Sequence, residues 1–155
     1  MASPQQLMFL QVAKHAATQA GHRWPGCAAA EAAAETGWGA DLPPGSNNFL
    51  GIKPPHDWKG KVVYSNGTEQ RKDGSWTGPQ HDAWCVFPTM ADCFAQQMSI
   101  LQTAKNLDGT LIYADALAAT TPETYIAAEC KHWSTSQAKT DTVLTIYHSH
   151  QDILG

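Results

Sequence analysis

The sequence predicts a mainly helical α+β domain with a small β-hairpin lobe inserted after the second helix. Three observations carry that expectation. Helical periodicity with capping residues runs from Pro4 to Glu35 with one break, and it returns after Pro88. Between them, from Trp38 to about Pro88, the texture shifts to Gly, Pro, Asn, Asp and Trp with short β-capable stretches. Finally, 155 residues fit one domain over 1–155, with no internal repeat or low-complexity linker to divide it.

Taken in order, Ser3-Pro4 reads as an N-cap with proline at the first helical position. Leu7, Leu10, Val12, Ala13, Ala16 and Ala17 follow at roughly helical spacing, and Gly21 closes the segment. A second helix is expected to begin near Pro25. Its stretch 27–35 is almost all alanine, the strongest helix former, and Gly37 supplies the stop. Alanine lets neighbouring helices approach closely, which places this helix in the middle of the domain. Strands are expected at 61–64 and 83–87, with Asn66-Gly67 and Asp73-Gly74 both suited to hairpin turns. Helix returns over 89–103, where Met90, Cys93, Phe94, Gln97, Met98 and Leu101 keep the helical period. Further helices are expected over 112–119, 122–131 and 138–154, with Thr121 and Ser136 as caps.

The composition excludes some functions. Charged residues make up only 15% and the net charge is −4, with ten scattered Lys and Arg, so nothing attracts nucleic acid or an anionic membrane at long range. No apolar run approaches the ~18 residues that would span a bilayer, and 1–21 lacks the basic start and apolar run of a secretion signal. Synthesis in the cytoplasm, or origin as a mature fragment, is the corresponding expectation. Six tryptophans are many, and several lie in Gly-, Pro- and Asn-rich segments. Aromatic faces on loops suit sugars, whose C–H groups pack on a ring while their hydroxyls bond outward.

Chemistry concentrates at Glu35. It ends an apolar helix just before Gly37-Trp38-Gly39. The negative end of the helix dipole and apolar surroundings both disfavour a carboxylate, so its proton should be held toward neutral pH, as a general acid requires. Read alone, such a residue is also an ordinary solvent-facing helix-end glutamate. Its neighbours decide between these readings.

Glu35-Thr36-Gly37-Trp38-Gly39 followed by Asn47-Asn48-Phe49-Leu50-Gly51-Ile52-Lys53 resembles the paired motifs of the glucosaminidase family, glycoside hydrolase family 73. That family includes flagellar peptidoglycan hydrolases, autolysins and phage lysins. Its usual wording has Ser for Thr36 and Leu-Phe for Phe49-Leu50. Further along, 83–87 resembles a Phe-Arg-x-Tyr strand with the arginine absent and Phe87 for the tyrosine. Trp133-Ser134-Thr135-Ser136 resembles a Tyr-Ala-Thr-Asp segment. The resemblance implies a lysozyme-like fold, with the β-lobe across a substrate groove, and cleavage of peptidoglycan glycan at the β-1,4 bond after N-acetylglucosamine. It implies Glu35 as the acid. Trp38, Asn47, Asn48, Phe49, Lys53 and Trp133 are the expected substrate-binding residues.

Glycosidases commonly pair two carboxylates, and Glu69 on the hairpin lobe is the candidate second one; the substrate's own acetamide is the alternative nucleophile. Glu31, one turn before Glu35, is expected to support it. Asp41 and Asp57 are loop acids with no motif behind them. Seven histidines show no ligand spacing, and His148 and His150 point apart on a helix, so no metal or other cofactor is expected. The four cysteines read as free buried thiols, with disulfides open should the protein work outside the cell. Asn66-Gly67-Thr68 matches a glycosylation acceptor, although a turn explains it more simply. A monomer acting on cell-wall glycan strands is expected, as a phage endolysin or bacterial autolysin. A muramidase or lytic transglycosylase on the same fold, or a non-catalytic glycan-binding virion module, are the alternatives.

Overall fold

The computed structural model describes residues 1–67, 70–78 and 80–155. Helix α1 (Pro4–Gln19) starts at a capping box, in which Ser3 Oγ accepts from Gln6 N–H and Gln6 Oε1 accepts from Ser3 N–H. It buries Leu10, Ala13, Ala16 and Ala17. Val12, expected on that face, is 54% exposed instead.

Helix α2 (Pro25–Thr36) begins with Pro25 at its first turn and ends at Gly37, whose φ of 54° is the left-handed C-cap. Of its residues only Pro25, Ala34 and Glu35 escape full burial. It packs on α1, on α5 (Pro122–Trp133), on α6 (Gln137–Ser149) and on α7 (Gln151–Leu154). Small side chains make that central position possible. At Gly26 even a methyl would sit 1.9 Å from the Leu154 carbonyl oxygen, so the closing turn of the chain seats directly on α2 backbone.

Helices α3 (Met90–Thr103) and α5 start at capping boxes on Thr89 and Thr121, while α4 (Ala114–Ala118) is a single short turn. Ser136 stands at the N-cap position of α6 but makes no side-chain cap hydrogen bond. The single helix expected over 138–154 is two: His150, at φ −131°, leaves the helical region and separates α6 from α7. That break folds α7 back against α1 and α2.

Strands β1 (Val62–Gly67) and β2 (Gln80–Cys85) form one antiparallel ladder in which Val62 pairs with Cys85 and Gly67 with Gln80. Both strands lie slightly off the expected positions, and Asn66-Gly67 lies within β1 rather than at a turn. The hairpin runs on to a Gln70–Trp76 bridge and turns at 71–75, where Asp73 accepts from Ser75 N–H and Gly74 has φ 88°. The second of the two expected turn dipeptides is therefore the one used. All four cysteines are buried free thiols. Among the described residues no helix is long and apolar enough to cross a membrane.

Candidate active site

Glu35 lies in the last turn of α2, its side chain 19% exposed, at the wall of a groove of about 410 Å³. The hairpin lobe supplies Gln70, Trp76 and Trp84 to that groove, the 50–51 loop supplies Leu50 and Gly51, and Trp133 to Ser136 come from the α5–α6 junction. The Thr135 hydroxyl donates to the Gln70 carbonyl, which ties the hairpin to the helical body. Three indoles thus surround one carboxyl. Trp133 is held by donation from its Nε1 to the Leu50 carbonyl at 3.0 Å, and Trp84 by donation to Ser65 Oγ at 2.6 Å.

Gly51 explains how the carboxyl and the loop approach each other. Its φ is 64°, a region side-chain-bearing residues rarely adopt, and a Cβ there would lie 3.6 Å from Glu35 Oε2. Burial is the main influence on Glu35 and pushes its carboxyl above the ordinary range. Opposing it is Lys139 of α6, whose Nζ lies 3.7 Å from Glu35 Oε2 and also donates to the Ala34 carbonyl at 3.2 Å. The lysine thereby occupies one of the carbonyls left over at the end of α2. Around this pair, Glu31 of α2 and Glu129 and Cys130 of α5 lie deeper, and Lys53 pairs with Asp82 of β2 at 3.4 Å.

A general acid works while it holds its proton, so activity should fall as pH rises through the Glu35 pKa. Lys139→Met removes the charge and hydrogen bond that lower that pKa. The alkaline limb of the kcat/KM profile is expected to move to higher pH, while Lys139→Arg should leave it near wild type. An unmoved limb in Lys139→Met would detach the lysine from the acid.

The remaining sequence-predicted residues divide. Trp133 lines the groove beside Glu35. Asn48 does not reach it: the side chain is 1% exposed, with Nδ2 donating to the Ile52 and Cys85 carbonyls and Oδ1 accepting from Ile52 N–H. Asn47, at φ 49°, donates to the Phe87 and Pro88 carbonyls. Phe49 and Trp38 both pack on Phe9 of α1, with ring centroids 6.0 and 6.5 Å away, and Trp38 also meets His150 edge-on. Lys53 sits 5.6 Å over the Trp84 ring, behind the groove wall. Asp41 and Asp57 lie outside the groove lining. Glu69 lies outside the described residues.

Three features escaped the sequence reading: Lys139, the hairpin indoles Trp76 and Trp84 as groove walls, and Glu129. The last faces Glu31 inside the core. Gln97 Nε2 donates to Glu31 Oε1 at 2.7 Å and lies 3.5 Å from Glu129 Oε1. Burial raises both carboxyls, Glu31 further because Glu129 lies beside it. Acceptor-capable atoms of Glu31, Glu129 and Cys130 lie within 4.8 Å of one another. Burial also pushes the Cys130 thiol far up. No hydrogen bond joins Glu31 to Glu35; beyond the helix they share, repulsion between their carboxylates couples them.

An α-helical body carrying a largely buried carboxyl, raised by burial, beside an indole-walled groove has the form of a lysozyme-like glycoside hydrolase. The glucosaminidase family model, described as mannosyl-glycoprotein endo-beta-N-acetylglucosaminidase, matches residues 10–152. The chain belongs to that family. Among solved structures it resembles a peptidoglycan hydrolase mutant from Sphingomonas sp. A1, at 19% identity, TM-score 0.78 and 94% coverage of each chain. It is similar also to the catalytic domain of the autolysin Auto from Listeria monocytogenes, at 19% identity and TM-score 0.77, covering 99% of this chain and 88% of that one. A C-terminally truncated glycoside hydrolase domain of Salmonella typhimurium FlgJ aligns at 21% identity and TM-score 0.69, over 95% of this chain and 98% of that one. The curated proteins contain no match.

Proposed function

We propose that this glycoside hydrolase cleaves the glycan of peptidoglycan at the β-1,4 bond after N-acetylglucosamine, with Glu35 protonating the leaving oxygen. The observation that carries the reading is the placement of Glu35, pushed toward its protonated form by burial, in a groove walled by Trp76, Trp84 and Trp133. Indole faces suit pyranose rings, and a carboxyl that keeps its proton suits departure of an alkoxide. The resemblance to hydrolases described as acting on peptidoglycan favours that glycan over others.

Trp133 is a sugar platform in the groove of the acid, and Lys53 acts through Trp84. Asn47, Asn48, Phe49 and Trp38 shape the loop that presents Leu50 and Gly51. The second catalytic group is Glu69 or the substrate's acetamide. A monomer acting on the cell wall, as an endolysin or autolysin, completes the reading.

Sugar-resolved analysis of digested sacculi tests it. New reducing ends on N-acetylglucosamine are expected. Reducing ends on N-acetylmuramic acid would make the enzyme a muramidase, anhydro ends a lytic transglycosylase, and absence of new ends a binding module.

A further inference from the structure

We propose that a second pocket, beside the groove and walled by Lys72, Lys131 and His132, is a subsite for the carboxylates of the peptide stem that the glycan carries. The inference rests on the peptidoglycan reading above. The pocket has a volume of about 300 Å³ and adjoins the groove, since Ser134, Thr135 and Ser136 line both.

The chemistry of the walls identifies the ligand class. Lys72 comes from the hairpin turn and Lys131 from the last turn of α5, so the two cations reach the pocket from separate elements. The contact between Thr135 and the Gln70 carbonyl holds those elements together. Hydroxyls of Ser134, Ser136 and Thr140 add donors, and among the described residues no carboxylate lines the pocket. Behind Cys130 lie Glu31 and Glu129, both with carboxyls raised by burial. In a chain of net charge −4 this is a local concentration of positive charge.

A bare amino-sugar chain is uncharged and gives these lysines nothing to bind. The peptide stem is different: it branches from every second sugar through a lactyl ether and bears free carboxylates. A stem next to the scissile bond must leave the groove sideways, and this pocket is a cationic exit. Lysines act as exposed point charges, so the contribution is modest and sensitive to salt.

The test compares kcat/KM on two substrates, glycan strands with their stems and the same strands stripped by an amidase, the lactyl carboxylates so exposed being capped as methyl amides. Wild-type enzyme is expected to prefer the stem-bearing strands about five- to tenfold at low salt, with the preference shrinking as salt is added. Lys72→Ala/Lys131→Ala should lose that preference and keep wild-type turnover of stripped strands. Equal wild-type rates on both substrates, or a double variant that keeps the preference, would overturn the subsite while leaving the glycosidase intact. Cleavage of neither substrate by wild-type enzyme would remove the glycan reading, and the subsite with it.

Discussion

Glu35→Gln is expected to lower clearance of purified sacculi by ~10²-fold or more, because the transferable proton is gone while size and hydrogen-bonding geometry are kept. The environment makes this substitution gentle on the fold. Glu35 is only partly exposed, and burial already favours its uncharged form. A neutral amide of the same shape therefore removes a charge that burial already disfavours. Lys139 retains its bond to the Ala34 carbonyl, so the end of α2 stays capped. Circular dichroism should match wild type. A folded variant that clears sacculi at close to the normal rate would remove Glu35 from the chemistry.

Asn48→Ala is expected to destabilise the domain by about 3 kcal/mol, one of the larger single-residue effects available to it. Asn48 is enclosed, and its amide joins the Ile52 N–H, the Ile52 carbonyl and the Cys85 carbonyl. Alanine leaves a small cavity, and the Ile52 N–H and the Cys85 carbonyl lose their partner in the interior, while the Ile52 carbonyl keeps the Cys85 N–H. The consequence reaches the site, since the loop so held carries Gly51 against Glu35 and the Leu50 carbonyl against Trp133. Denaturant unfolding measures the loss, and activity should decline with it. Unchanged stability combined with weakened glycan binding would instead make Asn48 a sugar contact.

Asn48 also marks where sequence reasoning reaches its limit. Local chemistry determined much of this protein. Ser3-Pro4, Thr89 and Thr121-Pro122 start helices because their side chains and fixed dihedrals satisfy or remove backbone N–H groups that a helix leaves unpaired. The alanine run places α2 at the centre because residues without bulk permit close packing, and Gly37 ends it because glycine accepts positive φ. Glu35 at that terminus, in its glycine-bracketed motif, was legible for the same reason. Its signals are all within a few residues.

Only the tertiary structure decided the rest. The 47–53 motif marks the site, but spacing does not tell whether an asparagine faces sugar or backbone; Asn48 turns inward because Cys85, distant in sequence, pairs beside it. Lys139 is one scattered lysine until α6 packs on α2 and brings its ammonium to Glu35. Trp76 and Trp84 become groove walls only when the hairpin folds over Thr135. Glu31 and Glu129 meet because α2 and α5 share the core. In each case the partners are far apart in the chain. Local propensity carries no information about such pairs, because their energy exists only after packing has excluded water and set the distance between them.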